Sequence, residues 1–166
     1  MIFFKSVTDK AVEFEEKGYA LYAKLAKTSK DKLTKELFKS LAAQEKDHIT
    51  YIQEFAKTHA FKKYKTTTVA ADIKKVWTVT KKQAIVATKE QLKGYELAMA
   101  LEDKGYKMYG VAVAKAKTAD EKKFYAFLQV MEKDHYESLA NVYFYLSNND
   151  YYLEENESKT WNWMNL

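Results

Sequence analysis

Two short patterns in this 166-residue chain set metal-ligating side chains at fixed intervals. Glu45 and His48 are three residues apart, and so are Glu132 and His135. On a helix that spacing puts a carboxylate and an imidazole on one face. A single Glu-x-x-His on an exposed helix is usually an accident of charged composition. Here each copy is preceded, 30 residues upstream, by a further glutamate: Glu15 before Glu45 and Glu102 before Glu132. One Glu from each of two helices plus Glu-x-x-His from two others is the donor set of dinuclear carboxylate sites in helical bundles. Four carboxylates in a bundle core are costly to leave ionised without counter-charge, and two divalent cations would balance them. The mixed oxygen and nitrogen set favours iron or manganese, with zinc also possible.

The two copies belong to a longer repeat. A shift of 87 residues lays Glu15-Glu16-Lys17-Gly18-Tyr19-x-x-Tyr22 on Glu102-Asp103-Lys104-Gly105-Tyr106-x-x-Tyr109 without gaps. The same shift lays Glu45-Lys46-Asp47-His48 on Glu132-Lys133-Asp134-His135. Repeated helix pairs, spanning about 9–55 and 96–142, predict a four-helix bundle with a pseudo-twofold axis. Shared ancestry kept only by packing would explain matching apolar positions. It explains less well why the matches concentrate on Glu, Gly, Tyr and His.

Other repeated residues each have two readings. Tyr22 and Tyr109 lie two turns beyond Glu15 and Glu102 on the same face. Their hydroxyls either orient a ligand carboxylate on a facing helix or simply find a partner within an aromatic core. Asp47 and Asp134 immediately precede the histidines, and either polarise a His N–H or face solvent. Gly18 and Gly105 each cost roughly 1 kcal/mol relative to Ala inside a helix. Their place on the site face implies a need for space, for close packing or for a small ligand. His59 lies 11 residues past His48, roughly 16 Å along a helix axis, too far to share its metal.

The elements that must position these residues are visible in the hydrophobic periodicity. Val12, Tyr19, Tyr22 and Ala26 recur at helical spacing, as do Leu37, Leu41, Ile49 and Ile52. Leu101, Met108 and Ala112 continue the pattern, followed by Leu128, Met131 and Leu139. Ser6…Asp9, Thr28…Asp31, Thr88…Gln91 and Thr118…Glu121 have capping-box spacing. Helices are therefore expected near 7–27, 30–58, 89–114 and 119–146. Tight turns make each successive pair antiparallel. A long crossover at about 59–87, with a short helix around Ala70–Val76, joins the second helix to the third. A short terminal helix is expected over Asp150–Asn156, before a tail bearing Trp161 and Trp163. The fold class is all-α, with residues 1–166 forming one domain.

Composition excludes several alternatives. Cys is absent, which removes disulfides, Cys-ligated zinc, iron–sulfur clusters and any Cys nucleophile. Pro is absent and Gly occurs four times, so long helices face few interruptions. All 28 basic residues are Lys, against 23 acids, for a net charge of +5. Without Arg the chain lacks the bidentate fork best suited to phosphate and guanine. The modest, dispersed excess reads as solvated surface, so no nucleic-acid partner is expected. No apolar run approaches the ~20 residues of a membrane span. The start, Met1-Ile2-Phe3-Phe4-Lys5, is too short for a signal-peptide core. A cytoplasmic protein, with no membrane partner and forming a homodimer, is expected.

Over roughly residues 8–145 the sequence resembles the ferritin-like superfamily, specifically its rubrerythrin-like diiron branch. The resemblance rests on Glu15-x6-Tyr22, Glu45-x2-His48, Glu102-x6-Tyr109 and Glu132-x2-His135. The ending from Asp150 is also similar to the terminal segment of small relatives. The resemblance implies two iron ions, with Glu45 and Glu132 bridging, Glu15 and Glu102 terminal, and one His per metal. It further implies oxidation of Fe(II) by dioxygen or peroxide, and a link to oxidative stress. Two departures stand out. The Cys-ligated rubredoxin module of rubrerythrins proper is absent, and Gly105 occupies the position of their extra carboxylate.

Three functions compete at this level. The leading expectation is an iron-dependent oxidoreductase reducing peroxide or dioxygen, with electrons from an external donor because the chain carries no identifiable second redox centre. The others are an iron-storage type of ferroxidase, and a metal-free helical interaction module. Metal content separates the last from the first two, and sustained turnover against a single stoichiometric oxidation separates those.

Overall fold

Helix-start chemistry sets the architecture. The computed structural model describes residues 6–80 and 85–147, in which five helices follow one another: α1 (Val7–Thr28), α2 (Lys32–Thr58), α3 (Val69–Thr80), α4 (Lys89–Lys115) and α5 (Ala119–Ser147). The terminal helix expected over Asp150–Asn156, and Trp161 and Trp163, lie outside the described residues. At α1 the Ser6 hydroxyl accepts from the Asp9 N–H and the Asp9 carboxylate accepts from the Ser6 N–H, both at 3.0 Å. Thr118 and Glu121 make the same reciprocal pair at 3.1 and 3.3 Å before α5. Thr88 accepts from the Gln91 N–H at 3.2 Å. Each satisfies an orphan donor of a first turn.

The expected Thr28…Asp31 box is different. Thr28 ends α1, and its hydroxyl donates back to the Lys24 carbonyl at 3.1 Å. Asp31 itself caps α2, accepting from the Thr34 N–H at 2.8 Å. The link from α1 to α2 is only Ser29–Asp31, so the acceptor must sit immediately before the new helix. At the other end of α2, His59 takes the left-handed conformation, with φ 51°, and closes the helix through its N–H to the Phe55 carbonyl. It is exposed and stands apart from the buried histidines.

Side-chain pairings fix the directions of the four long helices. Glu15 lies beside His48 and Gly18 beside Glu45, so α1 and α2 run antiparallel. His135 beside Glu102 and Glu132 beside Gly105 do the same for α4 and α5. Tyr22 bonds Glu102 while Tyr109 bonds Glu15, so α1 and α4 are also antiparallel. Consequently α2 ends at one end of the bundle and α4 begins at the other. The crossover must travel the bundle's length, about 40 Å for a 27-residue helix. Its helix is longer than the Ala70–Val76 expected, and it packs mainly on α2 and also on α5.

Two apolar clusters fill the bundle on either side of a polar layer. One gathers Leu33, Leu37, Phe38, Leu41 and Tyr95 with Val69, Ile73 and Trp77 of α3. The other gathers Ala11, Ile52, Phe55, Phe124 and Leu128. Phe55 stacks on Phe124 with centroids 4.1 Å apart. Tyr19, expected on the inner stripe, is 39% exposed, because Gly18 and Tyr22 take the facing positions on α1. None of the described helices is long and apolar enough to cross a membrane.

Ile73 is 1% exposed and anchors α3 to the larger cluster. Ile73→Ala should lower unfolding free energy by about 2–5 kcal/mol, the range for such core truncations, while leaving most helical circular dichroism intact. A loss below about 1 kcal/mol in urea unfolding would mean that α3 lies outside the cooperative core.

Candidate metal centre

The polar layer between the clusters is built by one face from each long helix. Glu15 comes from α1, Glu45 and His48 from α2, Glu102 from α4, and Glu132 and His135 from α5. All six are 2% exposed or less. Glu15, Glu45, His48 and Glu132 offer donor atoms lying within 4.8 Å of one another, and so do Glu45, Glu102, Glu132 and His135. The structure thus brings all six sequence-predicted ligands together as two overlapping groups. Glu45 and Glu132 are common to both, the arrangement a pair of bridging carboxylates requires.

The antiparallel α1 and α4 cross-connect the groups. Tyr22 donates its hydroxyl to Glu102, and Tyr109 donates to Glu15. Each ring lies in one apolar cluster, while its hydroxyl reaches the carboxylate of the opposite helix. The imidazoles stack with centroids 5.2 Å apart. His48 Nδ1 lies 3.2 Å from Glu15 and 3.7 Å from Glu132; His135 Nδ1 lies 3.3 Å from Glu45 and 3.5 Å from Glu102.

The donor set fits divalent cations by a test internal to the structure. Glu102 Oε2, Glu132 Oε1 and His135 Nδ1 are buried without a hydrogen-bond partner. Buried polar groups are rarely left so, because the desolvation penalty is uncompensated. All three belong to residues of the two groups, and cations held there would give these atoms partners.

Protonation tells the same story for the metal-free protein. Burial, then the charge of Glu15, pushes the Glu45 carboxyl well above 4.5. Burial and the charges of Glu15, Glu102 and Glu45 push Glu132 up as well. Burial also acts to raise Glu15, but hydrogen bonds with Glu45, His48 and Tyr109 and the charge of His48 outweigh it and hold Glu15 down at about 2. Glu15 and Glu45 thus behave as a coupled pair in which Glu45 holds the proton. Burial disfavours charged His135, yet Glu102 and then Glu132 and Asp134 raise it to about 9. Burial and the neighbouring glutamates push both Tyr22 and Tyr109 well above 10, keeping them donors. Protons thereby take up part of the positive charge that metal would supply.

The two glycines are seats for the shared carboxylates. A Cβ on Gly18 would come within 3.0 Å of Glu45 Cδ. A Cβ on Gly105 would come within 2.9 Å of Glu132 Cδ and 2.8 Å of Phe14. The space beside Gly105, where the resemblance puts an extra carboxylate, is filled by Glu132 and Phe14. Close packing is therefore the reading that fits.

Neither aspartate next to a histidine bonds an imidazole. Asp47 is exposed, and half-buried Asp134 instead accepts the Val69 N–H at 3.2 Å, tying down the start of α3. Beyond the six clustered side chains themselves, Gln44 bonds an imidazole: its Oε1 accepts from His135 Nε2 at 3.1 Å. Sequence spacing did not single it out, because the partners are 91 positions apart. Its one signal was a polar side chain on the inner stripe of Leu37, Leu41 and His48.

Two outcomes follow. In the metal-free protein, Glu45 and Glu132 bind protons more tightly folded than unfolded, so their contribution to stability falls as pH rises above 4.5. His135 acts in the same direction between 6.5 and about 9. Glu15 opposes them only below 4.5. Thermal unfolding of the apo protein should therefore show a midpoint that declines from pH 5 to pH 9; a steady rise across that range would contradict the clustered carboxylates. In Gly105→Ala, about 1 kcal/mol of helix propensity is set against roughly 1–3 kcal/mol of overpacking. Apo stability should therefore fall by up to about 2 kcal/mol, while displacement of Glu132 should weaken metal binding about tenfold or more by calorimetry. Equal affinity in Gly105→Ala and wild type would show that Glu132 is free to shift.

No curated protein and no solved structure matches this chain. The family model for rubrerythrin matches residues 7–143, a span that contains all six carboxylate and imidazole donors, both tyrosines and α3. On that match, and with an all-α ferritin-like bundle around a buried Glu/His cluster, the chain belongs to the rubrerythrin family.

Proposed function

We propose that this protein is a diiron-carboxylate oxidoreductase that oxidises Fe(II) with peroxide or dioxygen and reduces peroxide using electrons from a separate donor. The observation that carries this reading is the pair of overlapping ligand groups sharing Glu45 and Glu132. Glu15 and His48 would complete one metal site, and Glu102 and His135 the other. Four carboxylates suit ferrous and ferric iron better than softer donor sets do. When bound, a dinuclear iron centre supplies two one-electron oxidations, matching the two electrons that convert peroxide, with two protons, to two waters.

The protein's own residues have definable tasks in that reaction. Tyr22 and Tyr109 keep their protons and orient Glu102 and Glu15, so that carboxylate lone pairs not engaged by the hydroxyls face the shared interior. The apolar clusters on either side exclude bulk water and leave the carboxylates in a low-dielectric layer, where their charges act strongly. Metal entry must displace the proton held by Glu45 and that on His135, so loading releases protons and strengthens as pH rises. We assign the electrons to a separate donor, a reading in keeping with the described residues, which contain no Cys and no second cluster of metal-ligating side chains.

Anaerobic Fe(II) loading, followed by peroxide and then by air, tests the reading. Two irons per chain are expected, with oxidation by peroxide, and continued peroxide loss when a reductant is present. Oxidation that stops after one stoichiometric round would favour the storage-type ferroxidase. Glu45→Ala/Glu132→Ala should lose both metals by elemental analysis, whereas His48→Ala or His135→Ala should affect mainly one. Full metal content in the double glutamate variant would overturn the assignment.

A further inference from the structure

The two metal-site groups are related by the repeat, but their histidines are not held alike. Gln44 of α2 is 6% exposed and spans two elements. Its Nε2 donates to Asp72 Oδ2 of α3 at 3.1 Å, and its Oε1 accepts from His135 Nε2 at 3.1 Å. The same Asp72 oxygen accepts from Ser40 Oγ at 2.6 Å and from Thr67 Oγ1 at 3.4 Å. A carboxylate acceptor on one side settles the amide's orientation: its NH2 faces Asp72, and its oxygen faces the imidazole. An amide oxygen only accepts, so His135 must carry a proton on Nε2. With Nε2 protonated, Nδ1 is the nitrogen left to ligate, and it already points at Glu45 and Glu102.

His48 lacks this arrangement. The repeat places Met131 where Gln44 stands, and a thioether is a weak acceptor at best. His48 Nε2 is buried with no hydrogen-bond partner. The asymmetry originates in the crossover, because Asp72 sits on α3, the helix that joins the two repeats.

We infer that Gln44, locked by Asp72, is a positioning residue that makes the Glu102–His135 group the tighter of the two metal sites and the first to fill. This rests on the dinuclear reading above. The physical basis is that a hydrogen bond to the outer nitrogen fixes the tautomer and ring orientation of a metal-binding imidazole and raises its basicity. Loss of such a partner typically lowers metal affinity about 10–100-fold.

The test is anaerobic calorimetric titration of the full-length apo protein with Fe(II), repeated with Co(II) so that visible absorption reports coordination. Wild type should bind two ions in separated steps. Gln44→Met, which copies the Met131 position, should weaken the first step about 10–100-fold and leave the second nearly unchanged, closing the gap. Asp72→Asn lies on the exposed side of α3 and removes the constraint on amide orientation; it should give a smaller loss in the same step. Gln44→Glu combined with Asp72→Asn restores an acceptor for His135 and a donor to hold it, and should recover the first step. In a His135→Ala background, Gln44→Met should do nothing further, whereas in His48→Ala it should keep its full effect. Two equal steps in wild type would overturn the inference, as would Gln44→Met and Asp72→Asn variants that keep both steps or weaken both equally. Failure of wild type to bind any metal would remove the dinuclear reading as well, so the two failures are distinguishable.

Discussion

Four carboxylates are buried side by side, and the rest of the structure answers to the repulsion among them. An isolated ionised carboxylate in a protein interior costs several kcal/mol after relaxation, and neighbours of like charge add to that. In the metal-free chain, Glu45 and Glu132 are driven toward their protonated forms by burial and the neighbouring carboxylates, and His135 is held charged by Glu102 and Glu132. The same side chains lie in two groups that share Glu45 and Glu132 and could each hold a cation in place of those protons. Two tyrosine hydroxyls that keep their protons supply directional donors to Glu102 and Glu15. The fold surrounds the charged layer with apolar clusters above and below, so its cost is met by burial elsewhere in the bundle.

Antiparallel packing turns a linear repeat into a closed site. Because α1 and α4 run in opposite directions, a tyrosine two turns past its own glutamate lands beside the other helix's glutamate. One spacing, used twice, thus makes two hydrogen bonds across the pseudo-twofold axis. The glycines belong to the same geometry. Each lies one turn past a glutamate and receives the shared carboxylate of the neighbouring helix, a position where any side chain would meet that carboxylate.

Symmetry stops at the crossover. It must run the length of the bundle, and its helix settles on α2 and α5. There Asp134 holds its first turn through the Val69 N–H, and Asp72 reaches Gln44. A connection required by topology therefore reaches one histidine of the pair through Gln44 and leaves the other without a counterpart contact.

Much of this was legible in the linear order of residues. The four long helices follow from apolar spacing and from hydroxyl–acceptor pairs such as Ser6…Asp9, because capping and amphipathicity are local properties. The donor set was legible because Glu45/His48 and Glu132/His135 share helix faces whatever the fold, and the 87-residue repeat doubles the signal. The Thr28…Asp31 pair shows where local reading fails. Both residues suit a cap, and only the length of the actual link decided that Asp31 takes the role. Which tyrosine meets which glutamate, what fills the space beside Gly105, and that Gln44 rather than Asp134 bonds His135 were all decided in three dimensions. Those contacts join residues 80 to 94 positions apart, or, at Gly105, depend on how a carboxylate from another helix lies across the backbone. A sequence determines which side chains share a face of their own helix; helix direction and the approach of neighbouring helices determine what that face meets.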